Sequence, residues 1–519
     1  MILSTQTRLH VMFRHFYLLR ESMRSRLHSP LFRHRAFSTA LMSPMTNLSA
    51  ARATAPLRVV RGAGVRIYDD RGNEYLEAMA GLWCTSLGWG NAELADVTRQ
   101  QMLDLSYYHG FTGRLVPVAE ELAEKLVALA PGRLKDNSRV FFGMSGSDAN
   151  DTQVRMLWHY NHIMGRPKKR KLISRHRGYH GVTVASGSLT GLPYVHTAQG
   201  LPLDFVAAHV TCPSYYRQGR EGESEADFVQ RLAAELEDAI ETAGGASEVA
   251  AFIAEPLQGA GGVVLPPTGY FEAVGRVCRK HEVLMVGDEV ITGFGRTGQF
   301  WGADVFGQQT DLLSCAKQLT SGYIPLSAAI LPADMCDAME AQTARSGSVF
   351  GHGYTYTSHP VACAVALKVL DIQERREKGL GVLAFLILSL IAPDCLPHQV
   401  LEIMERDRLV DNVRQRLGPL FQARLRELAA HPLVGEARGV GLIGGLELVS
   451  DQATKKQFAP GVAPKVVQSA LGHGLIVRAL AGDVIALCPP LVITPNEVNE
   501  VFDKLEAALD DVLKKVAVA

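Results

Sequence analysis

Leu284-Met285-Val286-Gly287-Asp288-Glu289-Val290 is followed, 29 residues after Asp288, by Lys317 in Leu312-Leu313-Ser314-Cys315-Ala316-Lys317. These two apolar runs have the length of buried strands, and one ends in an acid, the other in a lysine. As strands of one parallel sheet, they would release the carboxylate and the amine at the same edge, where open α/β sheets take their ligands. A lysine held between Ala316 and Gln318 is costly to bury unless it is paired or neutralised. Two readings satisfy that cost: a structural ion pair with Asp288, or conversion of the amine to an imine on a carbonyl group.

Working outward, strand-like runs at Val140–Phe142, Ala250–Ile253 and Val283–Val286 alternate with helical stretches at Pro117–Leu129, Asp148–Met164 and Phe271–His281. That alternation predicts an α/β fold with a mostly parallel sheet flanked by helices. Val65–Glu77 reads as a hairpin around an Asp/Arg/Gly/Asn turn. Gly439–Leu448 reads as one strand, Pro464–His473 as a helix and Glu497–Lys515 as an amphipathic closing helix. The expected organisation is a leader over 1–50 and an N-terminal segment of the small domain with the substrate channel over 51–117. The large domain follows over 118–370, and a smaller α+β C-terminal domain over 371–519.

With 519 residues, 47% of them hydrophobic, the chain exceeds one typical domain and can bury a large core. Its 53 basic and 53 acidic residues cancel, which argues against a nucleic-acid or acidic-polymer partner. The eight cysteines are scattered with no Cys-x-x-Cys pair, so neither a zinc site nor a disulfide framework is expected. No membrane span is expected either: the apolar run Leu380–Ala392 has 13 residues, against about 20 needed to cross a bilayer. The first fifty residues are Arg-rich and Ser-rich with Glu21 as their one acid, the composition of a mitochondrial transit peptide. A mis-called start is the alternative, since Met42 or Met45 could begin a cytoplasmic chain.

Three further motifs carry chemistry. Ser145-Gly146-Ser147-Asp148-Ala149-Asn150 follows the run Phe141-Phe142 and opens a helix, whose free N–H groups and positive dipole end suit a phosphate. An ordinary capped helix start is the plain alternative. Gly178-Tyr179-His180-Gly181 sets an aromatic between glycines, either to stack on a flat ring or simply as a turn. Gly293-Phe294-Gly295-Arg296-Thr297-Gly298 matches the dinucleotide pattern, but no helical periodicity follows it, so NAD binding is rejected.

In this order, together with Gly81-Leu82-Trp83-Cys84, Glu255-Pro256 through Gly261-Gly262, and His352 through Pro360, these stretches resemble the class III (ω-type) aminotransferases. They resemble in particular the ω-amino acid:pyruvate branch. The resemblance implies pyridoxal-5'-phosphate (PLP) fold type I and a transaminase that moves an amino group from an ω-amino acid or amine to a keto acid such as pyruvate. An aminomutase or a decarboxylase on the same fold is the alternative. It further implies that Lys317 carries the cofactor and moves the proton, and that Asp288 meets the pyridine nitrogen. Tyr179 and Val290 would flank the ring, Gly146 and Ser147 would hold the phosphate, and Glu255 would join the hydrogen-bond network. Thr355 would reach the phosphate of a neighbouring subunit in a homodimer. Trp83 and Tyr354 would line the substrate pocket, and Arg478 would grip a substrate carboxylate. No metal is implied. Gln318 stands where the family more often has glycine, and Asp148 where it more often has glutamate. The stretch Gly379–Met404 interrupts the resemblance and reads as a retained intron or a lineage-specific insertion. Recovery of a peptide spanning Leu380–Ala392 from the native protein would exclude the intron.

Overall fold

The computed structural model describes residues 41–49, 56–135, 138–374 and 409–517. The chain forms two compact units, Met1–Val59 and Val60–Ala519, and the second contains the candidate site. The insert region and the leader up to residue 40 lie outside the described residues.

Fifteen strands build three sheets among the described residues. The N-terminal strands are β1 (Val59–Ala63), β2 (Arg66–Asp69) and β3 (Glu74–Glu77). β2 and β3 form the expected hairpin, closed by Asp69 Oδ1 accepting from the N–H groups of Arg71 and Asn73 at 2.9 and 2.8 Å. The central strands are β4 (Arg139–Gly143), β5 (Lys171–Arg175), β6 (Val206–Val210), β7 (Val249–Ala254), β8 (Leu284–Asp288), β9 (Leu312–Cys315) and β10 (Ser327–Leu331). They form one sheet in the order β4-β10-β9-β8-β7-β5-β6. β10 runs antiparallel to both its neighbours, and the other strands are parallel. β7 is buried at every position, which explains its unbroken apolar run Val-Ala-Ala-Phe-Ile-Ala rather than an alternating one. Burying one such valine, leucine or isoleucine side chain contributes about 1.5–3 kcal/mol.

Helices cover both faces of this sheet. Pro117–Leu129 forms as the sequence predicts, with proline in its first turn. Gly146–Ile163 and Tyr270–Lys280 each begin a residue or two before the predicted start. Helix 146–163 packs Val154, Met156 and Leu157 against Leu172, Ile253, Val286 and Leu312. Helix 270–280 packs Phe271 and Val274 on the opposite cluster with Phe252 and Met285.

The C-terminal strands are β11 (Val434–Val440), β12 (Ile443–Leu448), β13 (Leu475–Ile476), β14 (Arg478–Leu480) and β15 (Val484–Leu487). β11, β12, β15 and β14 make a second sheet, while β13 pairs with β3. The single strand expected over Gly439–Leu448 is corrected here: the chain turns between β11 and β12, and the two pair antiparallel. Gly441 makes the turn at φ +56°, and a Cβ there would lie 2.5 Å from the Arg296 carbonyl oxygen. The helices Ala463–Gly472 and Pro495–Ala517 close over this sheet around Phe421, Leu446, Val466 and Phe502. No helix among the described residues is long and apolar enough to cross a membrane. The described cysteines form no disulfide, and Cys395 lies outside them.

Candidate active site

The parallel strands deliver their polar residues to one edge of the central sheet. β8 ends in Asp288, β7 is followed by Glu255, β9 by Lys317, and β4 by Ser145-Gly146-Ser147. β5 leads into Tyr179 and His180.

Asp288 is buried and accepts three hydrogen bonds. Its Oδ2 accepts from Asn150 Nδ2 at 2.8 Å and from His180 Nδ1 at 2.9 Å, and its Oδ1 accepts from the Val290 N–H at 3.1 Å. Burial pushes its acid constant up, but the His180 hydrogen bond and charge, with the Asn150 and Val290 N–H groups, push harder, and the net effect is downward. Asp288 therefore stays ionised, with one acceptor position left on Oδ1. Asn150 and His180 stand in the helix-start and Gly178–Gly181 motifs, yet neither is assigned a role from sequence alone. The signal that could have found them is a helix N-terminus and a Gly-flanked turn each offering a donor to the same sheet edge.

Lys317 opens a 3₁₀ turn straight after β9, at φ +48°. A non-glycine residue in the left-handed region costs about 1–3 kcal/mol and persists where the surroundings hold it, often at functional sites. The expected alternative of an Asp288–Lys317 ion pair is not what forms: among the described residues Asp288 pairs with His180, and the amine of Lys317 makes no ion pair. Burial dominates and drives the acid constant of Lys317 down, opposed by Cys84, Asp288 and Glu255 and assisted by the charge of Arg478. A lysine held below its ordinary range is more readily the neutral amine that attacks a carbonyl or takes a proton.

Glu255 Oε1 accepts from the Tyr179 N–H at 3.0 Å and its Oε2 from the Gly259 N–H at 2.9 Å. Burial lifts its acid constant. Ser145 caps helix 146–163 in a capping box with Asp148, which also accepts from Ser327 Oγ at 2.8 Å. The shorter acid at 148 thus fulfils the capping role. The cap leaves the N–H groups of Gly146 and Ser147 without intrahelical acceptors. A Cβ on Gly146 would meet both methyls of Val290 at 3.0 Å, so glycine lets the helix end approach Val290 and Asp288. Ser147 Oγ accepts from the Val182 N–H at 3.2 Å.

Trp83 is buried in an apolar cluster with Met79, Leu257, Val263 and Ile291. Arg478 begins β14 and is half-buried; its charge acts on Tyr179, Tyr194 and Lys317, and no ion pair or hydrogen bond occupies its guanidinium among the described residues. Tyr354 lies elsewhere, its hydroxyl within 3.3 Å of Thr152 Oγ1 and the Asp148 carbonyl. Thr355 is exposed, and Tyr107 donates to its carbonyl at 2.7 Å. Within one chain the structure therefore gathers Gly146, Ser147, Tyr179, Glu255, Asp288, Val290, Lys317 and Arg478, but no hydrogen bond among the described residues links Thr355 to Ser147 or Lys317.

The gathered residues fit a flat, phosphorylated, cationic-ring aldehyde. Uncommitted N–H groups at a helix start suit a phosphate, an ionised buried aspartate suits a protonated ring nitrogen, and an unpaired buried lysine suits an aldehyde. The Gly293–Gly298 loop opens no helix; the next one starts at Gly302.

Comparison with known proteins identifies the family. The family model for class-III aminotransferases matches residues 48–380 and 395–509, breaking inside the atypical insert. A curated uncharacterized aminotransferase of Sinorhizobium fredii is 41% identical over 483 residues, covering 92% of this chain and 95% of that protein. Mitochondrial gamma-aminobutyrate transaminase 1 of Oryza sativa subsp. indica is 39% identical, covering 92% of this chain and 86% of that protein. The solved omega transaminase of Pseudomonas jessenii in complex with PMP superposes with a TM-score of 0.82 at 42% identity, covering 92% of this chain and 97% of that one. The chain belongs to the class-III aminotransferases, PLP-dependent transferases of α/β fold type I.

Proposed function

We propose that the enzyme takes the amino group of an uncharged amine or an ω-amino acid and gives it to a short keto acid such as pyruvate, in two half-reactions of ping-pong order. The observation that carries this reading is Arg478, a guanidinium without a partner whose charge reaches Lys317 and Tyr179. Arginine grips a carboxylate bidentately and keeps its charge at any physiological pH. A long, half-exposed side chain can also point away when the donor has no carboxylate.

PLP, when bound, supplies an aldehyde to the amine and a ring that takes up the electron pair of a cleaved C–H bond. Each residue has its part in that chemistry. Gly146 and Ser147 offer N–H groups and a hydroxyl to the phosphate. Asp288, kept ionised by Asn150 and His180, faces the ring nitrogen. Tyr179 and Val290 would take the two ring faces, and Glu255 fixes the Tyr179 backbone. The Nζ of Lys317 is the proton carrier between donor carbon and cofactor. Trp83 bounds the substrate pocket; Tyr354, held at Thr152, does not join it within one chain. On this reading 118–370 is the cofactor-binding domain, and 51–117 with 371–519 make the small domain.

The active unit is a homodimer in which Thr355 serves the other subunit's phosphate. What supports this is an aromatic face around that residue: Tyr107 is 5.7 Å from Tyr356, Phe111 lies under Gly353, and all three aromatics are more than a third exposed. The Arg-rich leader, with a mitochondrial label on the rice relative, supports import into the mitochondrial matrix.

The test is spectroscopic. Purified enzyme should show the visible band of PLP held on a lysine, and excess alanine should convert it to the aminated form. The Lys317→Ala variant should lose that band's lysine-bound position and all turnover; substantial residual transamination would refute the assignment. Product formation that does not need pyruvate would favour the aminomutase or decarboxylase reading.

A further inference from the structure

The Gly293–Gly298 stretch imitates a dinucleotide loop without serving as one, and it places a charge in the protein interior. Arg296 is fully buried. Its Nη1 donates to the carbonyls of Pro489 and Leu442, while Nε and Nη2 have no partner among the described residues. Burial holds its pKa below the ordinary arginine value, opposed by the thiols of Cys488 and Cys84 and by Glu77, the one carboxylate among these groups. The three segments are knitted together: the Cys488 N–H donates to the Ala78 carbonyl at 2.6 Å, beside Glu77 and next to Pro489.

Glu77 is buried at the end of β3, and its Oε2 accepts from the N–H groups of Gly81 at 2.8 Å and Met79 at 3.3 Å. The segment it holds has an unusual backbone, with Ala80 at φ +47°, Gly81 at +66° and Trp83 at +66°. Non-glycine residues keep such angles only where their surroundings impose them. The same segment carries Trp83 into its apolar cluster and Cys84 to within electrostatic reach of Lys317. Burial lifts the pKa of Glu77 to about 7, and the Gly81 and Met79 N–H groups, then the charge of Arg296, work against that lift.

We propose that Glu77 and Arg296 are positioning residues for the amine-donor side of the pocket. Glu77 fixes the Met79–Gly81 backbone, Arg296 holds the Pro489 carbonyl next to the Cys488–Ala78 hydrogen bond, and together they set Trp83 and Cys84, the latter packed against Gly322 at the end of the turn that Lys317 opens. The inference rests on the reading of Lys317 as the reactive lysine and Trp83 as a pocket wall.

The experiment compares the holoenzyme with its Glu77→Gln variant in three measurements: amide hydrogen exchange of peptides covering 78–85, cofactor loading from the visible band, and KM for a bulky arylalkylamine against KM for alanine. Glutamine keeps one acceptor oxygen but no charge. Exchange should quicken in 78–85, and KM for the bulky amine should change about tenfold, the scale of a lost hydrogen bond to a charged group. KM for alanine and cofactor loading should hold within about twofold. If Glu77→Gln does not fold, Glu77→Asp should show the same split at smaller size, because it keeps the charge but reaches less far. Unchanged exchange, or a fall of loading and of both substrates together, overturns the proposal. Failure of the underlying reading shows elsewhere, as a lysine-bound band that survives Lys317→Ala, and leaves the exchange result intact.

Discussion

Replacing Arg478 by alanine should separate the two kinds of substrate. The guanidinium is anchored by β14, whose Arg478 pairs with Ala486 of β15, and it has no acceptor of its own among the described residues. Its removal therefore orphans no protein group, and the loss for carboxylate substrates beyond that for an uncharged amine measures the substrate contact. A hydrogen bond to a charged group contributes about 1.5–3 kcal/mol. Two parallel bonds to a carboxylate would double that in a dry site, but Arg478 is only half-buried and solvent screens the pair. We therefore expect a loss of about 2–3 kcal/mol, or about 30- to 150-fold in kcat/KM, for alanine and for pyruvate. For an uncharged amine measured in its own half-reaction, kcat/KM should hold within about threefold. A second readout has a fixed sign. The charge of Arg478 lowers the acid constant of Lys317, so its removal should move the alkaline-favoured limb of the amine half-reaction to higher pH. Single-turnover absorbance traces from roughly pH 6 to 10 would report both. An equal loss for amine and amino acid, or no loss for either, would refute the reasoning.

Other outcomes follow from the same geometry. Asn150→Ala removes a donor at 2.8 Å from Asp288 and should raise its acid constant and weaken cofactor retention, read by equilibrium dialysis. The sign for stability is definite. Because Asp288 sits below its ordinary value, its contribution is complete above that value and is lost as pH falls through the folded one, so Asn150→Ala should start the acid loss of Tm at higher pH. Tyr356→Asp puts a charge on the aromatic face around Thr355 and should weaken the dimer at least about tenfold by light scattering, with activity falling in step. A dimer that persists with full activity would remove the assigned interface.

The sequence by itself determined the architecture of the central sheet and the placing of Asp288 and Lys317 at the ends of its strands. Apolar runs of strand length, such as Ala250–Ile253, are local signals, and a charged residue ending such a run has a cost that chemistry must explain. The prediction of Pro117–Leu129 holds to the residue, because proline at its start and an apolar stripe are also local. What tertiary structure decided is every relation that spans the chain. Asp288 is held ionised by Asn150, 138 residues away, and by His180, 108 away, and the motifs around those two residues do not say which carboxylate they serve. The run Gly439–Leu448 became two strands because Gly441 must pass against the Arg296 carbonyl, a contact made across the fold. The position of Arg478 beside Lys317 and of Glu77 near Arg296 likewise comes from the packing of distant segments. Hydrophobic periodicity specifies which face of an element is buried, but only the packed fold specifies which charge it is buried beside.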